Sequence, residues 1–282
     1  MRDDTANLTT NVPGLVKTGL KLGDVCEATP VVWQRRLLVL VSRRWVGKPE
    51  PQHHYLEVRD EHNVPLCTFG HGHSLASAFV WQNRLHVYAP RLEDDGWHDV
   101  EEYTSDDLVH WQGPRVVIQG DGGEELFNQS VCWDGRRFVM AYESNDSRWP
   151  AFTNKFAESA DLVTWHKIPD LAWAPDRYTA CPCLRFSEGW YYMMYLEHRS
   201  PRWWFETCLV RSRDLAEWEP SPHNPILAPN AEECCNTSDP DVVEWQGRVL
   251  LYYSYGDQRS WSELTRAEYP GTLAAFYRAC YA

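Results

Sequence analysis

Ser105-Asp-Asp-Leu-Val-His-Trp111 is written three times in this chain, returning as Ser159-Ala-Asp-Leu-Val-Thr-Trp165 and as Ser212-Arg-Asp-Leu-Ala-Glu-Trp218. The tryptophans stand 54 and 53 residues apart. Self-similarity at a fixed period marks a repeat architecture, in which each unit buries its apolar face against its neighbours. The local logic is the same in each copy. Ser and Asp open a turn by bonding nearby backbone N–H groups, Leu packs inward, and Trp covers the unit with a large apolar surface.

Upstream of each motif lies a second pattern, an apolar strand, a turn and another apolar strand. It spans Pro30–Leu40, Ser77–Tyr88, Gln129–Tyr142, Pro182–Tyr195 and Asp241–Tyr253. Asp134-Gly135, Glu188-Gly189 and Gln246-Gly247 read as tight hairpin turns between β-rich flanks. Third strands follow at 55–59, 100–103, 155–158, 207–210 and 263–267, and the Trp motif opens an outermost strand, as in Trp111 to Ile118. Five such units predict an all-β fold, a five-bladed β-propeller in a single domain over residues 1–282. The blades are expected at about 25–67, 74–119, 126–171, 178–228 and 236–270. The last unit has no Trp motif, so Leu15–Leu22 is expected to supply its outer strand and close the ring between the chain ends. Gly271–Tyr277 reads as a short helix.

Fifteen Trp, fourteen Tyr and nine Phe suit stacked sheets. A net charge of −13 without a basic block argues against nucleic acid and anionic membranes as partners, and for a neutral or cationic ligand. The N-terminal Met1-Arg-Asp-Asp-Thr-Ala-Asn7 lacks the apolar core of a leader, and no run approaches the ~18 residues of a membrane span. The nine cysteines form no framework, and neither Cys181-Pro-Cys183 nor Cys234-Cys235 has a zinc spacing. The expectation is a cytoplasmic protein with reduced, partly buried thiols. A homo-oligomer is compatible with the sequence.

The five hairpin units with Ser-x-Asp-Leu-x-x-Trp turns resemble the five-bladed glycoside hydrolases, a group that includes arabinanases, β-xylosidases, arabinofuranosidases, fructan hydrolases, mannoside phosphorylases and neoagarobiose hydrolases. The resemblance covers residues ~25 to ~270. It implies a carbohydrate-active enzyme working in the central funnel on a small-molecule sugar substrate. In the arabinanase–xylosidase branch, three carboxylates open inner strands: an Asp base in the first blade, an Asp in the third and a Glu acid in the fourth. Placing the hairpins of this sequence in register puts Thr29, Asn128 and Ala180 at those positions. The acids must then come from elsewhere, or the activity is lost.

A glycosidase needs two carboxyl groups flanking the scissile bond, about 5–5.5 Å apart for retention and about 6.5–9.5 Å for inversion. The candidates are Glu27, Asp239, Glu143 and Glu197, with His198 as an alternative acid. Glu27 shares a strand face with Thr29 because side chains alternate with period two; the plain alternative is an exposed residue ahead of the strand. Asp239 precedes Pro240 and shares a face with Asp241, though an Asx-turn before Pro is common. Glu143 and Glu197 read as equivalent positions at the far ends of second strands. An acid beside a histidine, as in Glu197-His198, suits acid–base work or ligation, whereas a lone His is more often structural.

For substrate binding the candidates are Asn128, Gln129, Arg177, Tyr178, His73, Asp241, Trp203 and Trp261, as amides, donors and exposed rings. Trp149 and Trp204 also fall in loops, and each ring serves equally well as packing under a loop. His53-His54 and His71-Gly-His73 open the alternative of a divalent cation in the central channel, without the spacing of a dedicated site. Three functions follow as expectations: a glycoside hydrolase acting on a terminal sugar with a non-standard carboxylate pair, a metal-assisted sugar lyase or isomerase, and a non-catalytic carbohydrate-binding propeller.

Overall fold

The computed structural model describes residues 10–25, 27–44, 53–150 and 152–282; Met1–Asn7, Cys26 and the 45–52 part of the first blade lie outside these. The chain forms five four-stranded antiparallel sheets. After β1 (Val16–Lys17), the first sheet holds β2 (Ala28–Trp33), β3 (Arg36–Arg44), β4 (His54–Asp60) and β5 (Pro65–Phe69). The second holds β6 (Ser77–Trp81), β7 (Arg84–Pro90), β8 (Asp99–Ser105) and β9 (Trp111–Gln119). The third holds β10 (Leu126–Trp133), β11 (Phe138–Ser144), β12 (Thr153–Ser159) and β13 (Trp165–Trp173). The fourth holds β14 (Thr179–Ser187), β15 (Trp190–His198), β16 (Phe205–Ser212) and β17 (Trp218–Pro220). In the fifth, β18 (Thr237–Trp245), β19 (Arg248–Gly256) and β20 (Ser262–Pro270) are completed by β1. This is the five-bladed propeller the repeats predict.

The thrice-repeated turn shows why its residues recur. Ser159 Oγ accepts from Leu162 N (2.9 Å), and Asp161 Oδ1 accepts from Val163 N and Thr164 N (2.8 Å each). These bonds hold Leu108, Leu162 and Leu215 at φ of 63°, 63° and 70°, which drives each Leu into the core, at most 8% exposed. The Trp then starts the outer strand and lies on the preceding blade. Trp111 stacks on Phe69 with centroids 3.5 Å apart, Trp165 meets Tyr88 edge-on at 6.0 Å, and Trp218 stacks on Phe156 at 5.8 Å. The motif is therefore a clamp between blades, and such aromatic pairs contribute roughly 0.5–1.5 kcal/mol beyond the area they bury.

The fifth blade closes differently. β1 pairs with β20, Val16 opposite Glu268, and bonds from Thr18 N to Arg266 O (3.0 Å) and Leu22 N to Leu264 O (2.8 Å) continue the contact, so the expected outer strand is present with only Val16–Lys17 in regular pairing. Lys17 Nζ reaches Glu233, whose other oxygen accepts from Tyr253 Oη (2.6 Å). The helix α1 (Leu273–Ala279) is capped by Thr272, which accepts from Ala275 N (3.2 Å). Its Tyr277 stacks on Tyr192 of the fourth blade at 4.0 Å. The helix thus performs, between blades four and five, the packing that Trp performs elsewhere.

Candidate active site

The hairpins pair Val32 with Leu37, Val80 with Leu85, Trp133 with Phe138, Phe186 with Tyr191 and Glu244 with Val249. Two residues before these pairs, Ala78, Val131, Leu184 and Val242 each enter the core shared with the preceding blade, so these four pairs are structurally equivalent, and the first blade is counted from its own hairpin pair of the same spacing. Counting three residues back gives a lower axial ring of Thr29, Ser77, Ser130, Cys183 and Asp241. Five residues back gives an upper ring of Glu27, Leu75, Asn128, Cys181 and Asp239. Most of both rings lines one axial cavity with about 30 Å³ of free space, on the order of a water molecule or two.

Below it the axis is blocked. Asp241 is ion-paired with Arg185, accepts from Val242 N (2.6 Å), and is bonded by the Thr29 hydroxyl and the Cys183 thiol.

Leu75, Asn128, Cys181 and Asp239 have φ of 55°, 23°, 52° and 51°. Such conformations cost about 1–3 kcal/mol each in non-glycine residues and gather at functional sites. Asn128, Cys181 and Asp239 belong to bulges, where β10, β14 and β18 shift register at Asn128, at 181–182 and at 239–240. A bulge inserts residues without a cross-strand partner and re-aims side chains. This corrects the sequence alignment. The ring-mates of Asn128 are Glu27 and Cys181; Thr29 lies in the lower ring, and Ala180 is buried against Leu196 and Phe205. The Xaa-Pro step shared by Cys181-Pro182 and Asp239-Pro240 is the sequence signal of this equivalence, since Pro cannot donate to the ladder and suits a bulge.

Three carboxylates face Cys181. Glu143 Oε2, from the end of β11, accepts from Cys181 N (3.0 Å) and from Asn128 Nδ2 (2.8 Å). Asp239 Oδ1 accepts from Cys181 Sγ (2.9 Å) and its other oxygen from Ser238 Oγ. Burial pushes the Cys181 thiol well above its ordinary value, and the charges of Asp239, Glu143 and Glu27 push it further, so it remains a protonated donor. Burial likewise raises the Tyr178 phenol, with Glu143, Cys181 and Asp239 adding to the shift. Asn128 Nδ2 also lies 3.4 Å from Cys181 Sγ. Laid end to end, these contacts keep the nearest oxygens of Glu143 and Asp239 within about 9 Å, inside the limit for a water-activating carboxylate pair.

The remaining candidates lie elsewhere. Glu197 is not the counterpart of Glu143. From the equivalent pairs that counterpart is Leu196, and one residue of offset turns Glu197 to the opposite face of its sheet. There it binds Arg199 Nη1 (2.6 Å) and Tyr195 Oη (3.0 Å). His198 stacks on Phe205 at 4.8 Å, with Tyr178 and Trp203 edge-on. Arg177 pairs with Asp176 and lies 3.7 Å from Glu197. Gln129 ties blades together, donating to Leu75 O (2.9 Å) and Tyr88 O (2.7 Å). His73 is buried on Glu101 (2.6 Å) in the second blade and does not line the axial cavity. Among the described residues no three His, Cys, Asp or Glu side chains gather as a metal-ligand set.

Trp203 and Trp261 are 45% and 41% exposed. Trp203 is anchored by Nε1 donating to Asp257 O (3.1 Å) and carries Arg259 over its ring at 4.5 Å. Trp204 is covered by Arg202, and Trp149 by Arg148. Sequence reasoning missed Cys181 as the hub of the site.

Comparison with solved structures places this architecture. The fold is that of the five-bladed glycoside hydrolases. A glycoside hydrolase superposes with a TM-score of 0.67 at 14% identity, over 95% of each chain. A thermostable family-43 glycoside hydrolase gives 0.69 at 11% identity, over 92% of this chain and 94% of that one. An exo-1,5-α-L-arabinanase from a bovine ruminal metagenomic library gives 0.63 at 8%, over 87% and 93%. No protein-family sequence model and no curated protein sequence matches the chain.

Proposed function

We propose that the protein is a glycoside hydrolase that removes a terminal sugar from an oligosaccharide or glycoside seated above the upper axial ring. The observation that carries this reading is the convergence of Glu143 and Asp239 on Cys181, with Glu27 in the same ring. Glu143 accepts from two N–H donors, which hold its carboxyl group in place as a base for the attacking water. Cleavage also needs a second carboxyl group that gives a proton to the leaving oxygen. The Glu27–Asp239 side of the ring supplies that proton to the leaving oxygen. The blocked axis supports action on a chain end, because a sugar polymer has no path through the floor. Trp203 and Trp261 offer ring faces to the rest of the substrate.

A second reading, a non-catalytic sugar-binding propeller, is favoured by the neutral Asn128 and Cys181 at ring positions where the resembling branch carries acids. Turnover of a panel of aryl pentosides and hexosides separates the two. Hydrolysis by the native chain, lost in Glu143→Gln and in Asp239→Asn but kept in Glu197→Gln, is the expected result. Sugar binding by calorimetry with no turnover on any glycoside moves the protein to the second reading.

A further inference from the structure

Two adjacent thiols stand where the chain enters β18. Cys234 is exposed and Cys235 half-buried, and no other described cysteines are sequence neighbours. Cys234 sits at φ 62°, the N–H of the peptide joining the two donates to Gly256 O (3.4 Å), and Cys235 O accepts from Phe205 N (2.9 Å). From Asn236, the residue after Cys235, a short path of hydrogen bonds leads to the axial carboxylate. Asn236 Nδ2 donates to Ser238 Oγ (2.9 Å), and Gln258 Nε2 donates to Asn236 Oδ1 (2.9 Å) and Ser238 Oγ (3.0 Å). Ser238 Oγ in turn donates to Asp239. Asp257, next to Gln258, holds the indole of Trp203.

We propose that Cys234 and Cys235 form a thiol-oxidation site for peroxides, whose closure to a disulfide loosens Asp239 and Trp203. Cys234, the accessible sulfur, attacks the peroxide; the O–O bond breaks, one water leaves and a sulfenic acid forms. Cys235 then displaces the sulfenic oxygen as a second water, so two thiols and one hydrogen peroxide give one disulfide and two waters. The eight-membered ring that results turns the peptide joining the two residues, and the donor to Gly256 O is in that peptide. Asn236, the next residue, carries the change to Ser238 and Gln258. The effect on turnover rests on the hydrolase reading; the sulfur chemistry does not.

The test treats the full chain with hydrogen peroxide, alkylates with iodoacetamide and weighs the peptide that carries both residues. The expected peptide has lost two hydrogens, takes no alkyl group and is restored by dithiothreitol. Turnover falls at least fivefold and recovers with the reductant, while Cys234→Ser keeps full basal turnover and ignores the peroxide. The proposal is overturned if both thiols still alkylate after treatment, if the disulfide forms without changing turnover, or if Cys234→Ser loses activity to peroxide equally. Should the untreated chain hydrolyse no glycoside, the hydrolase reading alone fails. The disulfide mass together with a change in tryptophan emission then supports the inference, and unchanged emission overturns it.

Discussion

The outer edge of the propeller and its axis come from the same five repeats and follow opposite rules. At the edge, three turns carry the same Ser, Asp, Leu and Trp, because each Trp must reach the blade before it at one fixed geometry. On the axis, five equivalent positions hold Glu27, Leu75, Asn128, Cys181 and Asp239, of which the last four are in left-handed backbone. Sequence repeats where blades must pack and diverges around the axis. Left-handed backbone occurs in both parts, at Leu108, Leu162 and Leu215 in the repeated turns and at Leu75, Asn128, Cys181 and Asp239 on the axis.

The largest effect should fall on the axis. Glu143→Gln is expected to lower kcat by about 10²–10⁴, the usual range for loss of an acid–base group, with sugar affinity by calorimetry nearly unchanged. Glu197→Gln, on the other face of the next sheet, should stay within a fewfold of the native rate. At the edge the signature reverses. Trp218→Ala should cost about 3 kcal/mol in denaturant unfolding while kcat per folded molecule is kept. Tyr277→Ala should cost a similar ~3 kcal/mol, since the helix replaces the missing Trp turn. Loss of activity without loss of stability in Trp218→Ala would break the division.

A smaller change is expected inside one turn. Ser159→Ala removes the acceptor for Leu162 N and should cost about 1 kcal/mol. The smallest effect is in pH. Burial pushes the Glu102 carboxyl up, but hydrogen bonds from His86 and Arg115 outweigh it and hold it below its ordinary 4.5. Its folded value lies below its unfolded one, so its contribution is complete above pH 4.5 and is lost as pH falls through the lowered value. Glu102→Gln should flatten this acid limb of stability, measured by denaturant midpoints between about pH 2 and 5. An unchanged slope would show that the carboxyl is not stabilised in the fold.

The fold was legible because its signals are local and repeated: hairpin turns, a 53-to-54-residue period and a Trp at a fixed offset. Even the unusual closure could be read, since the fifth unit lacks a Trp motif and Leu15–Leu22 is the nearest spare strand. The axis was only partly legible. Glu27, Glu143, Asp239 and Asn128 could be singled out as residue types, yet their grouping depends on bulges that add residues and reverse the parity of strand faces. That parity put Ala180 in place of Cys181; Thr29 is instead two residues along the same face from Glu27, and Glu197 lies one residue past Leu196, the true counterpart of Glu143. His73 misled for another reason: its partner Glu101 lies on a different strand of the blade. Cys181 gave no sign of its role, because a thiol becomes a hub only when three carboxylates are brought to it.

The central claim is that Glu143, Asp239 and Glu27 enclose one sugar-binding point above Cys181. A crystal structure soaked with arabinose and xylose tests it most directly. The account predicts a sugar on the upper ring with its anomeric carbon between Glu143 and the Glu27–Asp239 side. Sugar held only at Trp203 and Trp261, with the upper ring empty at saturating concentration, would contradict it.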